Sequence, residues 1–145
     1  MKMTAKTTVE NIQGLETNAT CRGFEFTLDE PEESGGSNKG MNPIEALLSA
    51  LGCCQTIALK TFAMQQGVQI DSVRMEVEGD IDTDGFMGVN PDVRCGLQDI
   101  RMKVYIKAPD KEATKKLADL AAERCPVEDC LVNPVPVTRT ELVVE

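Results

Sequence analysis

Alternating apolar and polar positions predict strands in two regions of the chain. Residues 7–12 and 23–28 have the composition and alternation of strands near the start of the chain. Further on, residues 73–77 and 100–106 alternate in the same way, and the span between them, 79–96, is rich in Gly and Asp. We therefore expect the two later strands to pair antiparallel across this span.

Between the two strand regions, the apolar pattern changes to helical spacing. Asn42 can cap a helix, Pro43 suits its first position, and Glu45 stands three residues after the cap, where its carboxylate can complete a capping box. The pattern predicts a helix that ends at Gln66, with Gly67 as its terminating residue. The preceding segment, rich in Pro, Gly and Ser, is predicted to be a loop.

This helix is apolar nearly all round. Two stripes run along it, one through positions 44, 47, 48, 51, 58 and 62 and the other through positions 46, 50, 53 and 57. Such a helix is expected to be central and covered, and about 25 residues span roughly 37 Å. This helix is long for a small domain, so a partner subunit is one candidate for covering part of its apolar surface.

The last third of the chain adds one helix and one strand. Asp110 caps a second helix, and Pro126 is expected to limit it soon after Cys125. Residues 134–145 are rich in Val, Thr and Leu and are predicted to form a closing strand. The order of elements indicates a single α+β domain over residues 1–145, in which a long central helix packs on antiparallel sheet.

Composition excludes several classes of function. The 15 Lys and Arg residues against 24 Asp and Glu residues give a net charge of -9, which does not suit nucleic acid binding. No run of 18 apolar residues predicts a membrane span, and no export signal is found, so a soluble cytoplasmic protein is expected. The chain has no histidine, which removes the commonest general base and the commonest metal ligand.

Six cysteines carry the candidate chemistry, and reduced thiols are expected in the cytoplasm. Cys53 and Cys54 lie about 100° apart around the long helix, so both cannot serve one site. One interpretation makes both of them small apolar fillers, because free cysteine is often buried. The other interpretation requires a thiolate at one of these two cysteines, and a cation elsewhere in the fold would have to stabilise it. The candidate cations are Arg22, Arg94 and Arg101.

The second cysteine cluster is RCPVEDC, in which four residues separate Cys125 from Cys130. This spacing differs from the two-residue spacing of thioredoxin-like redox motifs and is a weak half of a zinc site. A metal would need thiolates from distant segments, for instance Cys53 or Cys54 together with Cys125 and Cys130. No metal and no cofactor is predicted.

The motif GMNPIEALLSALGCC over residues 40–54, preceded by DEPEESGG and followed by a helix ending in Cys-Pro-Val, resembles the OsmC/Ohr family. The family name refers to osmotically inducible protein C and organic hydroperoxide resistance protein. The resemblance covers residues 23–144 and implies an OsmC-like fold. It also implies an intertwined homodimer, in which two long central helices are wrapped by strands of both chains.

The resemblance further implies a thiol peroxidase that reduces organic hydroperoxides. Cys54 matches the peroxidatic cysteine, and Cys125 matches the second cysteine, which closes a disulfide with the first. In that mechanism Cys54 becomes a sulfenic acid, Cys125 condenses with it, and an external dithiol such as a lipoylated or thioredoxin-like protein restores the pair.

The chain departs from the family pattern at two positions. The best characterised members have Glu directly after the helix-opening Pro, where this chain has Ile44, and they have an activating Arg earlier than Arg22. Two alternatives to the peroxidase therefore stay open. One is a catalytically divergent small-molecule binding or thiol-sensing protein of the same fold, and the other is the cysteine metal site.

Overall fold

The structure is a computed structural model, and it describes residues 1–144. Its elements follow the order β1 (Thr8–Gln13), β2 (Glu16–Cys21), β3 (Phe24–Leu28), α1 (Pro43–Gln66), β4 (Ser72–Ile81), α2 (Thr83–Phe86), β5 (Leu97–Lys107), α3 (Lys111–Glu123) and α4 (Pro126–Val132), with a single 3₁₀ turn at Glu32–Ser34. This is the α+β arrangement that the pattern predicts. The described residues form two compact units, Met1–Ser49 and the part from Ala50 onward.

The first unit is built on a three-stranded antiparallel sheet in the order β1, β2, β3. The two outer strands match the predicted stretches 7–12 and 23–28, whereas the central strand β2 was not predicted. Its sequence, ETNATC, has no apolar alternation, and only Ala19 in it is buried. It forms a strand because the adjacent strands β1 and β3 both pair with its backbone, and the pattern of side chains does not reveal such pairing.

The loop before α1 is organised by one buried carboxylate. Asp29 is 2% exposed. It accepts the backbone N–H groups of Glu30 at 2.8 Å, Ser37 at 3.0 Å and Lys39 at 3.3 Å. These three bonds gather the glycine-rich loop and lead the chain to the start of α1.

Helix α1 begins and ends as its sequence predicts. Asn42 Oδ1 accepts the Glu45 N–H at 2.9 Å, and the Glu45 carboxylate accepts the Asn42 N–H at 2.8 Å, which completes the capping box. At the other end Gly67 adopts a φ of +67°, the left-handed conformation that favours glycine after a helix.

The second unit pairs β4 with β5 in an antiparallel hairpin and packs helices against it. The register places Val73 opposite Ile106, Met75 opposite Val104, and Val77 opposite Met102. Directly opposite residues share a sheet face, so this face is apolar. The core lies between α1 and α3 and contains Leu59, Ala63, Ile70, Leu117 and Ala121.

Two expectations need correction. Pro126 does not simply limit the second predicted helix: α3 ends at Glu123, and Pro126 opens a new helix, α4. Residues 134–144 form no strand, and Glu145 lies outside the described residues. An extended segment needs a neighbouring strand to satisfy its backbone groups, and the pattern of residues alone does not supply one.

Within this chain, α1 is covered on one side only. One stripe is covered, with Leu51, Gln55, Leu59 and Ala63 buried, but Ile57 is 66% exposed and Met64 is 81% exposed on the other side. By length and composition α1 could also cross a membrane, a weak criterion that the core helix of a soluble protein meets as well.

Candidate active site at the junction of two helices

The chemistry-bearing side chains of the second unit meet where α4 begins beside α1. Pro126 stands at the first helical position of α4, where its missing N–H costs no hydrogen bond. Cys125 is the N-cap residue, and its sulfur accepts the backbone N–H of Glu128 at 3.4 Å. The Cys-Pro sequence thus directs the Cys125 thiol to the start of a helix rather than to the end of one.

Cys54 and Cys125 are brought together by this arrangement. Cys125 is 1% exposed, whereas Cys54 is half-buried. Burial raises the pKa of the Cys125 thiol, the Glu128 N–H opposes this effect, and the neighbouring Cys54 thiol adds to it. Cys125 is therefore held as a protonated thiol in the resting protein.

A second pair of side chains lies beside the thiols. Gln55 follows Cys54 on α1 and is 4% exposed, and its Nε2 donates to the Glu128 carboxylate at 2.5 Å. Neither residue was among the candidates from sequence. A polar amide within the covered stripe of an otherwise apolar helix is the feature that could have identified Gln55, because such groups are buried only with a partner.

A glycine sets how closely α1 approaches the sheet next to this site. A Cβ atom built on Gly52 would lie 3.1 Å from Cγ2 of Val77, which is tighter than ordinary van der Waals contact. Gly52 is also buried. The small residue therefore lets the backbone two residues before Cys54 lie against β4.

The other thiols of the second unit stand apart from this pair. Cys53, Cys95 and Cys130 are exposed, and Cys21, in the first unit, is half-buried. Within residues 1–144, no group of three or more His, Cys, Asp or Glu side chains is arranged to hold a metal ion. The combination of Cys53 or Cys54 with Cys125 and Cys130, considered from sequence, is thus not gathered by the fold.

Arg101 is removed from the candidate cations for Cys54. Its guanidinium contacts Glu78 at 2.9 Å, Asp80 at 2.5 Å and Asp99 at 2.8 Å. Arg101 stands opposite Glu78, next to the opposed pair Val77 and Met102. Because successive residues point to opposite sheet faces, Arg101 lies on the face away from Val77 and Gly52. Its charge is satisfied by carboxylates on the solvent side.

The other two candidate arginines lie in turns and loops. Arg22 occupies the β2–β3 turn of the first unit with a φ of +53°, and its guanidinium lies 5.5 Å from the centre of the Phe24 ring. Arg94 belongs to the connection between β4 and β5, where its carbonyl packs against Gly85.

Comparison with protein families finds one matching family model. The model of the OsmC-like protein family matches residues 36–140. This span contains α1 with Cys54 and α4 with Cys125 at its N-cap, so both members of the thiol pair lie within the matched region.

Two curated relatives carry the name hydroperoxide reductase. The one from Mycoplasma genitalium is 27% identical over 117 residues, covering 79% of this chain and 77% of the relative. The one from Mycoplasma pneumoniae is 32% identical over 111 residues, covering 74% of this chain and 72% of the relative.

Solved structures share the fold along nearly the whole chain. An OsmC-like protein from Mycoplasma pneumoniae is 26% identical, with a TM-score of 0.78 over 92% of this chain and 91% of that one. The organic hydroperoxide resistance protein OhrB of Bacillus subtilis is 23% identical, with a TM-score of 0.62 over 91% of this chain and 93% of that one.

Proposed function

Because this chain belongs to the OsmC-like protein family, we propose that it is a thiol peroxidase that reduces organic hydroperoxides through Cys54 and Cys125. The single observation that carries the proposal is that Cys54 lies near the buried Cys125 at the junction of α1 and α4, close enough to help raise the pKa of its thiol. Relatives named hydroperoxide reductase support the substrate class.

The proposed reaction balances with two thiols and one hydroperoxide. The Cys54 thiolate attacks the terminal peroxide oxygen, the O–O bond breaks, and the leaving alkoxide takes a proton to become the alcohol. Cys54 is then a sulfenic acid. The Cys125 sulfur attacks the Cys54 sulfur, a disulfide forms, and the hydroxyl group leaves with the Cys125 proton as water.

The different environments of the two thiols support this order of events. Cys54 is partly accessible, which a residue that meets the peroxide requires, while Cys125 is 1% exposed. The raised pKa of Cys125, caused first by its burial, keeps it from competing as the first nucleophile. It becomes useful when a sulfenic acid forms beside it.

Regeneration and location complete the proposal. An external dithiol, such as a lipoylated or thioredoxin-like protein, reduces the disulfide by exchange, and no cofactor takes part. The protein acts in the cytoplasm as a single OsmC-like domain spanning residues 1–145. The family match over residues 36–140 supports one domain, because it continues across the boundary between the two compact units.

We also propose that the protein is a homodimer whose second copy covers the uncovered stripe of α1. This stripe is defined by Cys53, Ile57 and Met64, all of which are exposed. Large apolar side chains exposed along one face of a helix are typical of a surface that binds another protein.

The decisive experiment follows the thiols after one equivalent of cumene hydroperoxide is added to the reduced protein. Mass spectrometry of trapped, digested samples should show rapid loss of two thiols and a peptide linked between Cys54 and Cys125. Cys54→Ser should stay reduced, whereas Cys125→Ser should accumulate oxidised Cys54, because its sulfenic acid has lost its partner.

Cys53→Ser is the matched control, since it removes the adjacent thiol on the uncovered stripe, and it should react like the unaltered protein. Slow or unselective oxidation that does not depend on Cys54 would refute the peroxidase. The catalytically divergent binding protein of the same fold would then be favoured, and a ligand that stabilises without turnover would be sought.

A further inference from the structure

We propose that Gln55 and Glu128 are a positioning pair, whose hydrogen bond holds the start of α4 against α1 and thereby sets how readily Cys125 joins Cys54. The inference rests on the proposed function, because it concerns the disulfide of that reaction. It assigns a role to two residues that neither the motif nor the family resemblance identifies.

One hydrogen bond joins the two helices beside the pair of thiols. Cys54 and Gln55 are consecutive on α1, while Cys125 and Glu128 are the N-cap and third residues of α4. Gln55 donates to Glu128, and Cys54 lies near enough to Cys125 to help raise the pKa of its thiol. The Glu128 backbone N–H also donates to the Cys125 sulfur, so one residue contacts both the resolving thiol and α1.

Apolar packing alone fastens α4 weakly. The helix has only seven residues, and none of them is buried. By contrast, Gln55 is 4% exposed, and a buried amide that loses its partner is costly. The bond between Gln55 and Glu128 therefore acts together with the buried N-cap residue Cys125 in keeping the start of α4 in place.

Position matters to the chemistry because disulfide closure depends on the effective concentration of one thiol at the other. In the closing step the Cys54 S–OH and the Cys125 S–H give the disulfide and one water. If α4 moves away, the sulfenic acid persists, and a second hydroperoxide can oxidise it to the sulfinic acid. The pair would thus set both the rate of closure and the resistance to overoxidation.

The test uses glutathione, so it does not depend on peroxidase activity. In a redox buffer, the two protein thiols and one oxidised glutathione exchange to give the Cys54–Cys125 disulfide and two reduced glutathiones. Titration of the full chain, read by mass spectrometry of the linked peptide, gives the equilibrium constant. Glutathione potentials are varied until the pair is half oxidised.

Gln55→Leu and Glu128→Leu should each lower this constant by roughly tenfold or more, because each removes a hydrogen bond to a charged group. Glu128→Gln keeps an acceptor oxygen and should stay near the unaltered protein. The exchange Gln55→Glu with Glu128→Gln reverses donor and acceptor and should restore most of the loss. Asp129→Asn, the same change of charge at an exposed residue of α4, is the control.

Urea unfolding of the reduced proteins separates positioning from stability. A merely structural pair would lower the free energy of unfolding in the leucine variants and leave the glutathione constant unchanged, and this result would overturn the inference. So would leucine variants that titrate like the unaltered protein, a result that leaves the peroxidase intact. Failure of the unaltered protein to form the disulfide with either oxidant would refute the proposed function, and the inference with it.

Discussion

The two stripes of α1 belong to one helix and are both apolar, yet they have different environments. The covered stripe, with Leu51, Gln55 and Leu59, packs within the second unit. The uncovered stripe exposes Ile57 and Met64. Apolar character along a helix therefore does not show which face the chain itself buries, and a face left open is a place for another molecule.

The adjacent cysteines show the same difference at the level of chemistry. Cys54 is half-buried and lies near Cys125, whereas Cys53 is exposed with the uncovered stripe. A rotation of about 100° between neighbouring helix residues is enough to give one thiol a partner and the other none within this part of the fold. The following changes test this contrast, from the largest expected effect to the smallest.

Placing a charge on the uncovered stripe should break the proposed dimer. Ile57→Asp introduces two carboxylates into the shared interface, each without a partner, and should weaken association by several kcal/mol. Sedimentation equilibrium should find a dimer for the unaltered protein and a folded monomer for the variant. Gln65→Ala, an exposed change on the same helix, should remain a dimer. A monomeric unaltered protein would show that another molecule, or none, covers the stripe.

Truncating the covered stripe should destabilise the fold itself. Leu59 is 1% exposed in the core with Leu117 and Ala121. Leu59→Ala should lower the free energy of unfolding by about 2–5 kcal/mol, through lost burial and the cavity left behind. Urea unfolding at one protein concentration measures this loss, with Gln65→Ala expected within about 0.5 kcal/mol of the unaltered protein. Equal losses in the two variants would contradict the assigned core.

Enlarging Gly52 should show how closely the covered side approaches the sheet. Its first added carbon would already lie 3.1 Å from Val77, so Gly52→Val should cost roughly 1–3 kcal/mol through overpacking. At a solvent-exposed position inside a helix, replacing Gly ordinarily raises the free energy of unfolding. Gln65→Val, an exposed change on the same helix, should be nearly neutral in the same urea assay. A stabilised Gly52→Val protein would mean that α1 and β4 separate easily.

The smallest expected effect is a pH dependence of the free energy of unfolding that is caused by the Cys125 thiol. Burial raises the pKa of Cys125 in the folded protein above its unfolded value of about 8.5. As pH rises, the Cys125 thiol therefore loses its proton in the unfolded state before it does so in the folded state. The contribution of this thiol to the free energy of unfolding is complete below the unfolded pKa and falls as pH rises above it. The slope for one group is at most about 1.4 kcal/mol per pH unit.

Urea unfolding of the reduced protein between pH 7 and pH 10 measures that slope. Cys125→Ser should remove its part of the alkaline loss, because serine does not titrate there, and Cys53→Ser should not. An alkaline loss that is unchanged in Cys125→Ser would place its source elsewhere in the chain.

Most of the fold could be predicted because its elements depend on local chemistry. The capping box of Asn42 and Glu45 and the left-handed Gly67 are short-range features, and they bound α1 as predicted. Alternation also identified β4 and β5, since one face of their hairpin is apolar and its residues are mostly half-buried. β2 was missed because its polar residues carry no alternation, and its pairing depends on strands elsewhere in the chain.

Only part of the candidate site could be predicted from the sequence. The family resemblance selected Cys54 and Cys125, and in the structure Cys54 lies near enough to help raise the pKa of the Cys125 thiol. Pro126 was interpreted as the end of a helix, although proline equally suits a helix start, so the N-cap position of Cys125 was missed. The pairing of Gln55 with Glu128 joins positions 73 residues apart, and no local pattern reports such a contact.

By itself, the sequence determined the long apolar helix and its caps, the later hairpin, the acidic charge and the supply of thiols, because these depend on residue type and on neighbours a few positions away. Tertiary structure alone decided which stripe of α1 is covered, which cysteine has a partner, and which side Arg101 faces. Those outcomes depend on packing between segments distant in the chain. A shift of one residue along a helix or a strand moves a side chain to a different face of that element.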